Sequence, residues 1–137
     1  MPKLYFWDSG LLCSLLGIET EEQLKSHFMR GNIFESMIIS EFIKYRYNHG
    51  RGNNCYFWRD RHGKEVDCII EETTDNLIPI EIKSGKTVSQ DFFKGIGYWQ
   101  KLSEKTDGYV VYGGEQRQTR KTATVLPWRE CLQVISR

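Results

Sequence analysis

Hydrophobic and polar positions along the chain follow a helical period up to about residue 53 and then change to the period of strands. In the first part, apolar residues recur every three or four positions, as on one face of an α-helix. Asp8 or Ser9 is suited to cap a short first helix, and Gly17 stands where helices commonly end. The apolar residues of this helix are Leu11, Leu12, Leu15 and Leu16. The pattern predicts a helix that packs against the rest of the protein.

A longer helix follows a polar stretch. Residues 19–30 are predicted to form a mixture of helix and loop. The Gly-Asn pair at 31–32 is predicted to open an amphipathic helix that runs to about His49. On a helical wheel, Glu35 lies about 20° from the apolar face of this helix. A carboxylate there either faces a polar site inside the protein or, because Asn32 and Glu35 have capping-box spacing, bonds back to the start of its own helix. Both roles stay open.

Three strands are predicted where aromatic and β-branched residues become frequent. They lie at residues 55–60, 65–72 and 77–84. Short polar segments at 61–63 and 73–76 separate them, which is typical of an antiparallel meander.

A further helix and strand complete the core. Ser89 is the expected cap of the helix, whose apolar positions at i, i+4 and i+7 are Phe92, Ile96 and Trp99. Residues 109–113 form an apolar strand, and a crossover helix between strands predicts a mixed sheet. The tail segments 122–128 and 131–136 are predicted as short strands at an edge of the sheet. The fold class is therefore α/β, a mixed β-sheet flanked by helices with core order α-β-β-β-α-β.

Composition sets limits on the protein class. The 137 residues are 39% apolar and 13% aromatic, enough for one globular domain with its own core. Nineteen basic and eighteen acidic residues leave a net charge of +1, so nucleic-acid binding would have to rest on a local cluster. The absence of a long apolar run or a signal sequence predicts a cytoplasmic protein with no membrane partner. The cysteines lack Cys-x-x-Cys spacing and are expected to be reduced, mostly buried thiols.

The segment IPIEIKSGKT, residues 78–87, ends in the Gly-Lys-Thr of a phosphate-binding P-loop. That loop needs a glycine five residues before its Gly-Lys pair, because bare backbone wraps the phosphates, and Ile80 stands there instead. Gly85-Lys86-Thr87 is thus interpreted as the turn that leaves the strand, and ATP is not expected to bind to this chain.

The same segment carries charge on one face. Ile78, Ile80 and Ile82 take one side of the strand, and Glu81 and Lys83 project from the other. Asp67 in the preceding strand comes close to Glu81 if the two strands form a hairpin. A divalent cation, Mg²⁺ or Mn²⁺, would reconcile the two carboxylates, with Asp67, Glu81 and the Ile82 carbonyl as ligands and Lys83 beside them. The alternative is a cross-strand ion pair on a solvated face.

Glu35 on a helix, Asp67 in a strand and Glu81-Ile82-Lys83 in the next strand together resemble the PD-(D/E)xK nuclease superfamily. The match is not complete, since Val66 stands where proline is usual. The resemblance implies that Asp67 and Glu81 hold magnesium, that Lys83 helps to activate water, and that Glu35 completes the acidic cluster.

Five separated blocks resemble a narrower family, the DUF4143 domain found at the C-terminus of bacterial and archaeal AAA-family ATPases. The blocks are PKLYFWDSGLLCSLLG, GNIFESMIISEFIK, YFWRDRHGKEVDCIIE, IPIEIKSGKT and VVYGG. This resemblance implies an ATPase module upstream, which is an expected partner. Residues 1–30 would then be a helical segment that leads in from that module, and residues 31–137 the nuclease-like domain.

Basic and aromatic residues supply further candidates. Arg59 and Arg61 cluster near the first hairpin, and Arg117, Arg120 and Lys121 cluster in the tail loop. Both clusters could bind nucleic-acid phosphates, or they could be ordinary solvated surface. The rings of Trp58, Tyr98 and Trp99 are expected to pack in the core rather than stack on bases.

Two functions follow from these patterns. The first is Mg²⁺-dependent hydrolysis of phosphodiester bonds in DNA, with catalytic residues Glu35, Asp67, Glu81 and Lys83. The second is an inactive DNA-binding, regulatory or assembly module of the ATPase. Homo-oligomerisation is left open by the sequence.

Overall fold

The computed structural model describes residues 2–136 and shows a six-stranded mixed sheet with helices against both faces. The helices are α1 (Ser9–Leu15), α2 (Glu21–Ser26), α3 (Arg30–Asn48) and α4 (Lys94–Ser103). The strands are β1 (Cys55–Arg59), β2 (Glu65–Thr73), β3 (Asn76–Lys83), β4 (Tyr109–Tyr112), β5 (Gln118–Thr119) and β6 (Thr124–Pro127). Short 3₁₀ helices span Gln90–Phe93 and Trp128–Val134.

The sheet has the strand order β1-β2-β3-β4-β6-β5. Strands β1, β2 and β3 form the predicted antiparallel meander, whereas β4 and β6 run parallel to β3. A parallel pair needs a crossover, and α4 supplies it between β3 and β4. The prediction of an α/β fold with a mixed, helix-flanked sheet is confirmed.

Two apolar layers cover the sheet. One layer packs under α3 and joins its buried residues to β2 and β3; its largest members are Ile38, Phe42, Ile70, Ile78 and Ile80. The other lies under α4 and contains Ile96, Val110, Tyr112, Ala123 and Val125. Because both faces are covered, β3 is buried on both sides, and its charged face is enclosed rather than solvated as in the ion-pair alternative.

The N-terminal helices begin as their sequences predict. The carboxylate of Asp8 accepts hydrogen bonds from the backbone N–H of Gly10 and Leu11 at 2.8 and 3.1 Å, which caps α1. Gly17 follows α1 with a φ of 71°, a conformation that glycine adopts without strain. The predicted packing of α1 is only partial, since Leu11 and Leu15 stay exposed.

The chain differs from the predictions in its second half. The predicted strand at 131–136 is wrong, because a 3₁₀ helix covers Trp128–Val134 and buries Cys131 and Val134 three residues apart. The strand predicted at 122–128 is present as β6, but it is paired on both sides and is not an edge strand. The edge strand on this side of the sheet is β5. Ser89 precedes a 3₁₀ turn and forms no side-chain cap, so α4 begins only at Lys94.

Two predictions from composition concern the helices and thiols. Among residues 2–136, no helix is long and apolar enough to span a membrane. The cysteines are free, as expected; Cys68 and Cys131 are buried, while Cys13 and Cys55 are half-buried.

Candidate functional site

The candidate site lies where β2 and β3 separate. Their antiparallel pairing reaches Cys68 opposite Ile80 and goes no further. Beyond that pair, the backbone N–H of Ile82 donates to Oδ2 of Asp67 at 2.8 Å. The Asp67 carboxylate thus replaces a backbone acceptor that the diverging strand no longer provides, so this buried N–H is not left unpaired. The separation places a carboxylate between the two strands.

Lys83 brings the two predicted carboxylates together. Its Nζ lies 2.8 Å from Oε2 of Glu81 and 3.5 Å from Oδ2 of Asp67. The carboxylate side chains are 5% and 6% exposed, whereas the lysine side chain is 34% exposed. Two carboxylates in such a place repel each other, and a shared ammonium offsets part of that repulsion. The predicted proximity of Asp67 and Glu81 is therefore observed, in an enclosed rather than a solvated position.

The protonation of this group departs from that of free side chains. Burial and the adjacent carboxylate of Asp67 raise the pKa of Glu81 to about 8, although the Lys83 ammonium opposes the shift. Burial alone would lower the pKa of Lys83, but the carboxylates of Asp67 and Glu81 outweigh it and raise that pKa. A cation placed at the carboxylates would therefore compete with a proton on Glu81.

Helix α4 closes the site from one face through Gly95. A Cβ at that position would lie 2.1 Å from Oε1 of Glu81 and 2.5 Å from the carbonyl oxygen of Glu65. Both distances are far below van der Waals contact, so only glycine lets the helix approach the carboxylate this closely. Gly95 is thus a component of the site that the strand pattern alone could not reveal.

Glu35 is held by the N-terminal segment and not by its own helix. Its Oε1 accepts hydrogen bonds from Nζ of Lys3 at 2.9 Å and from the hydroxyl of Tyr5 at 2.7 Å. The capping-box alternative is wrong, because α3 begins earlier, at Arg30, with Met29 as a cap that makes no side-chain bond. Glu35 therefore lies in the second turn of the helix, beyond the position from which it could cap.

Lys3 links Glu35 to the two-carboxylate group. Its ammonium is 3.9 Å from Oδ1 of Asp67 and 4.3 Å from the ring centroid of Phe57. The segment is anchored nearby, since Ser36 Oγ accepts from the Phe6 N–H at 2.9 Å and donates to the Phe6 carbonyl at 3.2 Å. The site thus contains three carboxylates and two lysine ammoniums.

Sequence reasoning missed Lys3 and Tyr5. They are two residues apart, and both side chains donate to the same oxygen of Glu35. Burial, together with the Glu35 carboxylate, raises the pKa of Tyr5. The alternation of polar and apolar residues in PKLYFW was the available signal.

The donor set suits a hard divalent cation in part. Mg²⁺ commonly binds one or two carboxylates and keeps several waters, and Asp67 and Glu81 provide that pair. The N–H and C=O of a residue in a strand point to the same neighbour, so the Ile82 carbonyl faces the β2 side, as its predicted role requires. Within residues 2–136, however, no group of three or more acidic, His or Cys side chains is arranged to hold a metal ion. Any cation would rely on this pair, the carbonyl and water.

The predicted phosphate-binding residues lie apart from one another. Arg59 and Arg61 are exposed near the β1–β2 hairpin; Nε of Arg59 is 3.9 Å from Glu65, and Nε of Arg61 donates to the ring of His62 at 3.2 Å. Arg117 and Arg120 flank β5 at the opposite edge of the sheet, where Gln118 binds the Arg120 guanidinium.

Five strand spacings separate the two edges, roughly 24 Å at about 4.8 Å each. Lys121 lies beside Arg120 at a small cavity of about 130 Å³. The two basic clusters therefore could not hold the same phosphate, and neither shares a described contact with Asp67.

The aromatic candidates Trp58, Tyr98 and Trp99 are half-buried and pack on one another outside the two core layers. The ring of Trp58 meets Tyr98 at 5.9 Å and Trp99 at 5.3 Å between centroids. The Tyr98 hydroxyl donates to Asp60 at 3.0 Å. These contacts hold α4 against the β1–β2 hairpin.

Comparison with known proteins gives one match. A family model described as "Domain of unknown function (DUF4143)" matches residues 30–131. That range includes Glu35, Asp67, Glu81 and Lys83 and leaves out Lys3 and Tyr5. The searches of curated proteins and of solved structures returned no match.

Proposed function

The chain belongs to the DUF4143 family, and from that premise we propose that it is a nuclease-like domain of an AAA-family ATPase that hydrolyses phosphodiester bonds in DNA with Mg²⁺ or Mn²⁺. The observation that supports this function is the Lys83 ammonium between the buried carboxylates of Asp67 and Glu81. Charged groups of this kind are costly to enclose, and such arrangements are common where chemistry occurs. The association with an ATPase rests on the family, and the nuclease superfamily remains an inference from the residues.

In this proposal the divalent cation, when bound, polarises the scissile phosphate and lowers the pKa of a water. Asp67 and Glu81 supply the hard oxygen ligands, and the Ile82 carbonyl faces the same gap between strands. Lys83 is partly exposed at the mouth of this gap, where its charge would stabilise the negative charge that develops on the phosphate. Glu35 would hold a second ion or a water at the outer side of the group.

One observation favours the alternative, an inactive DNA-binding, regulatory or assembly module. Lys83 and Lys3 already provide positive charge beside all three carboxylates. With a proton on Glu81, whose pKa is raised to about 8, these two ammoniums balance the charge of Asp67 and Glu35. Such a pocket needs no metal to compensate its carboxylates, and it need not have a catalytic role. The two functions differ in whether a metal enters the group.

An assay for cleavage of supercoiled plasmid and of single-stranded oligonucleotides, with Mg²⁺ or Mn²⁺, distinguishes the nuclease function from the inactive module. The nuclease function predicts metal-dependent cleavage that Asp67→Ala and Lys83→Ala abolish in proteins that still fold. Asp75→Ala, which removes an exposed carboxylate in the turn between β2 and β3, is the matched control. If both site variants cut as well as the control, these residues have no catalytic role.

Calorimetric titration provides a readout that does not depend on turnover. Manganese should bind the wild-type chain and fail to bind Asp67→Ala, because half of the carboxylate pair is gone. Absence of both heat and thermal stabilisation at millimolar metal would favour the inactive module.

A further inference from the structure

A groove of about 880 Å³ is lined in part by Phe34 and Ser84, which neighbour Glu35 and Lys83 of the acidic site in sequence. It is formed between the N-terminal helices and the loops that follow β3 and β4, which contribute Ser84, Lys86 and Gly113. These loops leave the carboxyl ends of parallel strands, the edge where open α/β sheets commonly bind ligands. The volume is within the range of pockets that enclose drug-sized ligands, about 300–1,000 Å³. None of the residues predicted to bind nucleic acid lines it.

The groove carries unbalanced positive charge. Its basic lining residues are Lys25, Arg30, Lys86 and Arg129. Lys25 pairs with Glu21 at 2.8 Å, and Arg129 lies 4.0 Å from Glu115. The other two have no carboxylate within 4.0 Å among residues 2–136. Glu21 also lowers the charge near Lys86, but four basic and two acidic side chains leave the groove with a net positive charge that favours an anion.

Arg30 is held in place for such a contact. Its Nη2 donates to the carbonyl of Ser84 at 3.1 Å, and its Nη1 donates to the carbonyl of Lys25 at 3.5 Å. A guanidinium has five N–H donors, so three remain after these two bonds. Because the backbone orients the group beforehand, less side-chain freedom is lost when it binds an oxyanion.

The remainder of the lining is apolar and partly aromatic. Ile33, Phe34 and Met37 of α3 line it together with Trp128, the first residue after β6. The Arg129 guanidinium lies 4.6 Å from the centroid of the Trp128 ring, so cation and ring are already side by side. Aromatic rings next to cations are what unpaired bases and their phosphates require. In a duplex the base faces are stacked on one another and would not reach such a wall.

The chain connects the groove to the acidic site at two points. Ser84 follows Lys83 directly, and Phe34 precedes Glu35. A strand with one phosphate at the carboxylates would thus have its neighbouring nucleotides close to the groove. An acidic peptide would satisfy the cations but would leave the carboxylate site without a partner.

We propose that this groove binds a single nucleic-acid strand, with a phosphate at Arg30 and Lys86 and unpaired bases against Phe34 and Trp128. This inference adds that the nucleic acid is a single strand rather than a duplex. It rests on the proposed function for the placement of one phosphate at the carboxylates. Binding itself requires neither metal nor cleavage.

Fluorescence anisotropy of a labelled oligothymidine, in EDTA and at low salt, tests the groove. Lys86→Gln and Arg30→Gln should each weaken binding about five- to tenfold and lower the slope of log affinity against log salt by about 0.7. Lys105→Gln and Arg51→Gln, which remove exposed cations outside the groove, should bind like the wild-type chain. Lys86 is exposed and makes no described ion pair, so its substitution tests binding even if Arg30→Gln unfolds.

Four results would overturn the proposal that the groove binds a single strand. Three of them are an unchanged affinity in Lys86→Gln, a duplex of the same sequence that binds as tightly as the single strand, and displacement of the oligothymidine by polyglutamate at equal charge concentration. A loss that follows Arg117→Gln or Arg120→Gln in place of the groove variants would also overturn it. Asp67→Ala separates the two proposals, since it should lose cleavage and keep groove-dependent binding in EDTA. If wild-type protein binds through the groove but never cleaves, only the proposed function fails. If the wild-type protein cleaves DNA, and Lys86→Gln binds and cleaves as well as the wild type, only the groove proposal fails.

Discussion

Replacement of Glu81 by glutamine should change how the stability of this protein depends on pH. Glu81 is 4% exposed and lies beside Asp67, so burial and that carboxylate raise its pKa from 4.5 to about 8. Between these two values the folded chain holds a proton on Glu81 that the unfolded chain has released. The free energy of unfolding therefore falls as pH rises through this window. Glutamine has the shape of the protonated acid and no charge, so Glu81→Gln should escape this loss.

The size of the effect follows from the two pKa values. A pKa difference of one corresponds to about 1.4 kcal/mol, so the full difference sets an upper limit of about 5 kcal/mol. The raised pKa already includes the opposing charge of the Lys83 ammonium, 2.8 Å away, and the interval from pH 5 to pH 8 covers only part of the difference between the two pKa values. We therefore expect wild-type stability to fall by about 2–4 kcal/mol relative to Glu81→Gln between pH 5 and pH 8.

Urea unfolding followed by tryptophan fluorescence, in EDTA across this pH range, measures the difference. Other titrating groups are shared by both proteins, so the difference between the two curves isolates Glu81. Glu22→Gln, an exposed glutamate on α2, is the matched control and should run parallel to the wild type. A flat difference curve, or one that favours the wild type as pH rises, would refute the reasoning.

Two further perturbations test the surroundings of the carboxylates. Gly95→Ala should destabilise the fold by about 2–4 kcal/mol in urea unfolding, because its Cβ meets Glu81 and the backbone of Glu65, whereas Gly97→Ala on the same helix meets nothing within 4 Å and should be neutral or stabilising. Equal stability of the two variants would contradict the close approach. Lys3→Met should strengthen manganese binding several-fold in calorimetry, since the ammonium competes for the same oxygens. Unchanged or weaker binding would show that no such competition exists.

Much of the site was readable because it depends on neighbours in sequence. A period of two put Glu81 and Lys83 on one face of a strand, and a short turn put Asp67 opposite them. These relations hold whatever the rest of the chain does, provided the hairpin forms in that register. The mixed sheet was predictable for the same reason, since a helix between two strands requires a crossover.

Other predictions failed where local patterns permit more than one outcome. The spacing of Asn32 and Glu35 fits a capping box, but the helix starts at Arg30, and Glu35 binds residues about thirty positions earlier. Apolar residues at 131–136 suit a strand or a tight helix, and burial of Cys131 and Val134 selects the helix. The end of a short element depends on the surface against which it packs.

The amino-acid sequence by itself determined most of the elements of this protein, the meander and the proximity of Asp67 and Glu81, because those follow from side-chain periods and short turns. Only the tertiary structure decided that the charged face of β3 is enclosed, that Gly95 and Lys3 reach its carboxylates, and that a basic, apolar groove opens beside them. Such contacts join residues far apart in the chain. Their geometry depends on how helices settle against a twisted sheet, which no local pattern specifies.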